Sequence, residues 1–292
     1  MKTKSRVSII IPSWNGLETL KKSLPVVVRN SREAKIIVVD DGSRDATVSY
    51  LADHFPQIRV IVNQYNSGFT KSVNRGTAAA DTEFIALINN DVYPQKHYLK
   101  SALVYFTDPD VAAVTFNEPQ SSWPETSWHN GKLQYTKGLD KRQPVFSTWA
   151  SGGSCLYRRS VWQQLGGFNP IYSPGYWEDI DLGWRTWKAG YKIIWAPKAV
   201  VLHRHESTFK RLNQHKINRL KERNELLFIW QNITDTRLII SHLVFLLIHS
   251  LLHPGYLRII IAAFLAIPQA KLPNLKLRTD RQILSLVNKP LK

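Results

Sequence analysis

Three short stretches gather oxygen-bearing side chains at the ends of apolar runs. In LINNDVYP an apolar strand delivers Asn89, Asn90 and Asp91 together at its tip. These are hard oxygen ligands of the sort Mg²⁺ or Mn²⁺ accepts while it keeps waters and bridges a diphosphate. A simple turn uses the same residue types, because Asn and Asp bond their own backbone. The second stretch, VVDDGSRDAT, ends a strand on Asp40 and Asp41, with Gly42 for a tight turn and Ser43 as a candidate N-cap. Two adjacent acids are one more than a cap needs, which leaves a carboxylate to accept from a ribose or a base N–H. Trp14 in PSWNG offers a stacking face at the same sheet edge.

The third stretch, WEDIDLGWRTWKAG, reads as a helix closed by Gly190. Asp181 and Arg185 stand at i, i+4 and can pair, with Glu178 one turn before them. Asp179 has Leu182 and Gly183 at those offsets and so lacks a local partner. Capping of a helix N-terminus is the structural alternative for these acids.

Positioning these groups requires a parallel sheet. VSIIIP, KIIVVD, IRVIVN and EFIALIN are continuous apolar, β-branched runs, as strands buried on both faces are. Helix-length segments over 17–28, 45–55 and 68–80 separate them, implying right-handed crossovers. A helix over 95–106, a strand over 111–116, a long loop over 117–147, a strand running into a short helix in GGSCLYRRSVWQQLGGF, and two strands, YKIIW and AVVLH, are expected next. Neither a G-x-G-x-x-G nor a G-x-x-x-x-G-K-[ST] signature is present, so a nucleotide would be held by acids, aromatics and a cation.

The 292 residues carry a net charge of +17, and the stretch from Arg204 onward, with 15 Lys and Arg against 5 acids, holds ten of it. A basic tail suits nucleic acid or an anionic membrane surface. The long apolar runs LIISHLVFLLIHSLL and LRIIIAAFLAI, after a basic amphipathic helix over 211–230, favour the membrane. Each run falls short of the roughly 20 residues of a spanning helix. His253, Pro254 and Gly255 divide them, so interfacial helices or a re-entrant hairpin is expected, against buried core helices or a dimer interface. Lys271, Lys276, Arg278 and Arg281 would face anionic lipid, and His242, His249 and His253 are read as interfacial or structural. The single Cys155 excludes an internal disulfide framework and a Cys-based zinc cluster, and fits the reducing cytoplasm. VSIII is too short for a signal-peptide core, so an intact, cytoplasmic N-terminus is expected.

In this order, VSIIIPSWNG, IIVVDDGSRDAT, NQYNSGFTKSVNRG, LINNDVYP, GGFNP and WEDIDLGWRTWKAGYKI resemble the family 2 inverting glycosyltransferases of GT-A fold, from about residue 5 to about residue 230. The resemblance implies an α/β, Rossmann-like, mostly parallel central sheet flanked by helices. With it go a domain over 1–232, divided into a nucleotide-binding half (1–94) and an acceptor half (95–232), and a helical, membrane-associating extension over 233–292. It places donor binding on Pro12, Trp14, Asp40, Asp41, Asn66, Gly68, Asn74, Asn89 and Asn90, with Asp41 on the base. Acceptor binding falls to Gly152, Gly153 and Trp177, and catalysis to Asp179 as general base with Glu178 beside it. The divalent cation, Mg²⁺ or Mn²⁺, would be held by Asp91 and His203, which fits the spacing to Ser207 better than His205 does.

The activity implied is inverting transfer of a sugar from a dTDP- or UDP-sugar to a hydroxyl of a glycan or lipid-linked acceptor. It would take place on the inner face of the cytoplasmic membrane, in making cell-envelope polysaccharide, with rhamnosyltransferase-like members especially similar. No nucleic-acid partner is expected, and the oligomeric state stays open. The alternatives are a nucleotidyltransferase, which typically carries a Gly-rich loop where PSWNG stands, and a non-catalytic basic membrane- or nucleic-acid-binding scaffold.

Overall fold

The computed structural model describes residues 5–119, 123–138, 142–204, 214–267 and 277–291. The first third alternates as its apolar runs require: β1 (Val7–Ser13), α1 (Leu17–Asn30), β2 (Lys35–Asp40), α2 (Thr47–His54), β3 (Arg59–Val62), α3 (Phe69–Ala78) and β4 (Phe84–Ile88). β1 pairs in parallel with β2 and β4, and β2 with β3. Alternate residues of one strand enter two different cores. Ile10, Ile85 and Leu87 join the layer under α3, while Ile9, Ile11, Ala86 and Ile88 join the layer under α1. That is why these strands read as unbroken apolar runs.

The chain continues through β5 (Val92–Pro94), α4 (Tyr98–Leu103), β6 (Val111–Asn117), β7 (Pro124–His129), β8 (Lys132–Lys137), β9 (Val145–Phe146), β10 (Ser154–Arg158), α5 (Arg159–Gln164), α6 (Glu178–Lys188) and β11 (Lys192–His203). The main sheet runs β3-β2-β1-β4-β10-β6-β11-β5, with β9 on β11. β10 lies antiparallel between β4 and β6, and β11 runs parallel to β6 and antiparallel to β5.

Three local expectations change. The stretch expected as a loop over 117–147 contains the antiparallel hairpin β7–β8, whose register pairs Thr126 with Tyr135 and Trp128 with Leu133. The two strands expected after α6 are one, β11, with its register shift between Ala196 and Val200, around Pro197, which has no N–H for the ladder. The helix expected over 95–106 is α4 followed by a tighter turn over Val104–Thr107.

The remaining helices are α7 (Gln214–Asn232), α8 (Thr236–Leu252), α9 (Leu257–Ala266) and α10 (Asp280–Leu286). The extension drawn from residue 233 shares its core with the sheet domain: Ile233, Tyr256, Ala263, Ile283 and Val287 are buried in the same cluster as Trp184 and Phe228. Asp280, fully buried, ties α10 to α6. It accepts from Trp184 Nε1 (3.1 Å) and from the backbone of Thr234 and Asp235 (2.7 Å each), and pairs with Lys188 Nζ at 2.7 Å. Of the cations expected to face lipid, Arg278 lies over the Trp187 ring at 5.3 Å, and Arg281 pairs with Asp235 at 2.8 Å while staying half exposed. Lys271, Lys276, His205 and Ser207 lie outside the described residues. His242 is structural, bonded through Nδ1 to Gly131 O (2.8 Å) and through Nε2 to Trp230 Nε1 (3.1 Å).

Candidate active site

The carboxyl ends of β1, β2, β4, β6 and β11 converge on one edge of the sheet, where open α/β folds bind ligands. On that edge β5 pairs His203 directly with Val92, which sets the imidazole beside Asp91. His203 Nε2 lies 3.0 Å from Asp91 Oδ1, and its Nδ1 lies 3.2 Å from Glu118 Oε2. Glu118 in turn accepts from Ser154 Oγ at 2.5 Å. Burial opposes a charge on His203, but hydrogen bonds and charge from Asp91 and Glu118 override it and raise the pKa to about 9. The imidazolium therefore neutralises this acidic corner at pH 7.

Asp91 Oδ2 is buried and has no hydrogen-bond partner among the described residues. No three His, Cys, Asp or Glu side chains among those residues form a ready cage. The corner nevertheless suits a cation that takes its other ligands from a diphosphate and water. One free carboxylate oxygen is present, and the 3.0 Å between Asp91 Oδ1 and His203 Nε2 matches the about 2.9 Å between neighbouring ligands of an octahedral ion. The imidazole must first lose its proton.

Asn89 and Asn90 shape this tip. Asn89 donates its N–H to Gly153 O (2.9 Å) and its amide fills the space a Cβ on Gly153 would take, only 2.3 Å from Asn89 Nδ2. Asn90 Nδ2 donates to Ser13 Oγ (3.1 Å), and its carbonyl accepts from Ser23 Oγ (2.5 Å).

The neighbouring Gly152 donates its N–H to Asp179 Oδ2 at 3.1 Å, so the Gly152–Gly153 pair joins the β4 tip to the start of α6. Asp179 Oδ1 accepts from Ile180 N at 2.9 Å, and the residue keeps part of its surface open. Burial raises its pKa, with the backbone N–H groups of Gly152 and Ile180 working against the rise. Glu178 is buried, its Oε2 has no hydrogen-bond partner among the described residues, and burial, then the charge of Asp179, raise its pKa well above the usual range. Two carboxyls shifted this way at one cleft are the pattern of proton-transfer groups. Asp181, by contrast, is spent on structure: it pairs with Arg185 at 2.7 Å and accepts from Tyr172 Oη and Asn232 Nδ2.

Tyr176 and Trp177 enter α6 with φ of 73° and 75°, a conformation costing about 1–3 kcal/mol per non-Gly residue. Asn224 of α7 holds them there, its Nδ2 donating to the carbonyls of Tyr172, Gly175 and Tyr176. Strain maintained by a buried amide at the start of the acid-bearing helix fixes where Glu178 and Asp179 point.

On the nucleotide side the structure redistributes the expected roles. Asp41 Oδ1 accepts from Asn63 Nδ2, Ser67 N and Ser67 Oγ, and its Oδ2 from Gly68 N, all within 2.9 Å. It latches the β3–α3 loop. Asp40, expected beside it in the donor site, accepts from Ser43 N through Oδ2, while its buried Oδ1 has no hydrogen-bond partner among the described residues. Asn74 is also consumed, its amide clamping both backbone groups of Phe168 (2.6 and 3.0 Å). Asn66 Oδ1 accepts from Gly68 N, inside the same loop. Ser43 does not cap α2; its hydroxyl accepts from Asn15 N at 2.8 Å. Pro12 and half-buried Trp14 stand at the end of β1 beside Asp40.

Glu118, Asn224 and Ser154 are missing from the sequence reading. Glu118 had a signal: it follows an apolar strand at its carboxyl end, as Asp40 and Asp91 do. A larger cleft, about 580 Å³, lies against Lys35 and Arg59, the first residues of β2 and β3, and so at the opposite end of the sheet from these groups.

Comparison with known proteins shows the family and the fold. The model of Glycosyl transferase family 2 matches residues 8–166. A pre-mycofactocin glycosyltransferase of Mycobacterium tuberculosis is 29% identical over 214 residues, covering 70% of this chain and 44% of that protein. An N-acetylglucosaminyl-diphospho-decaprenol L-rhamnosyltransferase of the same organism is 28% identical over 59% of this chain and 67% of its own length. The chain thus spans less than half of the first of these relatives. The mannosyltransferase PcManGT from Pyrobaculum calidifontis, solved with GDP-Man and Mn²⁺, superposes with a TM-score of 0.58 at 17% identity, over 92% of this chain and 74% of that one, and shares the fold.

Proposed function

Because the chain belongs to glycosyl transferase family 2, whose model covers more than half of it, we propose that it moves a sugar from a nucleotide diphosphate donor to an acceptor hydroxyl with inversion, Asp179 acting as the base. The observation that carries this is the pairing of Asp179, open and raised in pKa, with the Asp91–His203 corner through two adjacent glycines. The nucleotide would lie over β1 and β2, against Trp14 and the free oxygen of Asp40. Asp91 and His203 would hold Mn²⁺ or Mg²⁺, which when bound neutralises the diphosphate and eases its departure. Asp179 takes the acceptor proton, while burial and the neighbouring charge of Asp179 push the Glu178 carboxyl upward, which disfavours a second negative charge there. The name of the rhamnosyltransferase relative supports rhamnose or a similar deoxyhexose as the sugar and a lipid-linked glycan as acceptor, with dTDP or UDP as the carrier to be tested.

A membrane surface as partner is supported by α8 and α9. No described helix is long and apolar enough to cross a membrane. Yet α8 is apolar nearly all round while packing only one side on the domain: Leu243, Leu247, Leu251 and Leu252 are more than half exposed, as are Phe264 and Leu265 of α9. A contiguous patch of this kind marks an interaction site, and the basic surplus of the surrounding sequence selects anionic lipid. The protein would then work peripherally on the cytoplasmic face.

The test is donor turnover. With dTDP-rhamnose or UDP-sugars and Mn²⁺, Asp179→Asn should keep donor binding and lose about 10²–10⁴ in kcat. Unchanged turnover in that variant, or no donor-induced thermal shift in the wild type, overturns the assignment.

A further inference from the structure

The β7–β8 hairpin has two ends with different surroundings. Its tip is seated on α8: Trp128 Nε1 donates to Ser241 Oγ (2.9 Å), Lys132 Nζ lies over the Phe245 ring, and Gly131 approaches so closely that a Cβ would stand 2.5 Å from Ser241 O. Its base arches over the carboxyl end of β6 and the start of β10 and encloses a cleft of about 450 Å³, within the roughly 300–1,000 Å³ of small-molecule sites.

The cleft has aromatic walls and a polar floor. Tyr135, 51% exposed, and Trp149 meet at 81° with ring centroids 5.1 Å apart, forming a corner of two planes. Glu118, Ser151, Ser154 and Thr136 line the rest. Flat apolar faces beside carboxylate and hydroxyl groups match a pyranose, which has one face of C–H bonds and a rim of hydroxyls.

Position assigns the role. In the strand order β2-β1-β4-β10-β6-β11, the nucleotide groups stand over β2 and β1, the Asp91 corner runs from the tip of β4 to His203 of β11, and this cleft lies over β10 and β6 against that corner. Ser151 of its floor precedes Gly152, which holds Asp179, and Glu118 touches His203. Charge from Asp179 also reaches the Tyr135 phenol, which burial and that charge together push upward. The cleft therefore borders the Asp91–His203 corner, on the side away from β1 and β2, and lies alongside the base.

We propose that this hairpin cleft is the acceptor subsite and takes a pyranose of a glycan, one ring face against Tyr135 and Trp149 and a hydroxyl turned toward Asp179. The inference rests on the glycosyl-transfer reading. Because the same hairpin is seated on α8, an acceptor carried on a lipid would enter from the side of the exposed apolar helices.

The test uses the full chain with two probes, methyl α-L-rhamnopyranoside and methyl N-acetyl-β-D-glucosaminide, observed by saturation-transfer NMR with and without UDP and Mn²⁺. At least one glycoside should bind, and UDP should not displace it. Tyr135→Ala should weaken that binding about tenfold, Tyr135→Phe should restore it, and the UDP-induced thermal shift should be the same in all three proteins. Glycoside binding unchanged in Tyr135→Ala, or absent from the wild type, overturns the proposal. So does displacement by a UDP-sugar but not by UDP, which would make the cleft the donor-sugar site. Loss of the UDP shift in the wild type would instead overturn the transfer reading, which separates the two failures.

Discussion

Replacing His203 by Gln tests the charge balance at the β4 tip. The imidazole is raised from 6.5 to about 9 by its two carboxylate partners. With its side chain only 12% exposed, that shift corresponds to roughly 3 kcal/mol at about 1.4 kcal/mol per pKa unit. The sign follows from proton counting. Between pH 6.5 and 9 the folded protein holds a proton that the unfolded chain has released, so stability falls as pH rises. The contribution is complete below about 6.5, the unfolded value, and is lost as pH passes through 9. Urea unfolding with chelator present, at pH 6, 7.5 and 9.5, should show the wild type losing up to about 3 kcal/mol more than His203→Gln across the range. Saturating Mn²⁺ should flatten or reverse the wild-type trend, because binding requires the neutral imidazole. Parallel pH profiles for the two proteins, with Mn²⁺ absent, would refute the Asp91–His203–Glu118 arrangement.

Two further outcomes concern the helices. Asp280→Ala strips Lys188, Trp184 and two backbone N–H groups of their acceptor and leaves a buried ammonium, so denaturant unfolding should show a loss of about 3–5 kcal/mol; a wild-type midpoint contradicts it. The hydrogen bond from Lys188 holds the Asp280 carboxyl below its usual range against the pull of burial, so this support is present above about pH 4 and fades as pH falls through the lowered value. Leu247→Glu with Leu251→Glu, both at exposed positions of α8, should release the protein from anionic vesicles without changing its thermal midpoint, whereas removal of residues from Leu238 onward would take core residues with it. If the wild type stays in the supernatant, or is a dimer that the double variant dissociates, the face meets another copy of the chain and the membrane claim fails.

The alternation of apolar runs with helical segments in the first third was sufficient to specify the parallel sheet, because strands buried on both faces carry their signature in composition alone. The acids at the strand ends were legible for a related reason: Asp40, Asp91 and Asp179 follow or precede elements whose period fixes where they emerge. The i, i+4 spacing likewise separated Asp181, with its Arg185 partner, from Asp179. What spacing could not decide was which of two adjacent groups is spent on the protein itself. Asp41 accepts from a loop 22 to 27 residues away, and the Asn74 amide donates to a carbonyl 94 residues away, contacts that no local pattern encodes. Glu118 gains its role only because β11 and β5 pair in the register that lays His203 beside Asp91. The hairpin over 124–137 was hidden because its strands are mostly exposed and carry no continuous apolar run, and its tip is held by its seat on α8. The exposed side of α8 shows the converse limit: a sequence apolar all round says that the helix avoids water, and only the packed structure determines which face the domain covers and which remains for a partner.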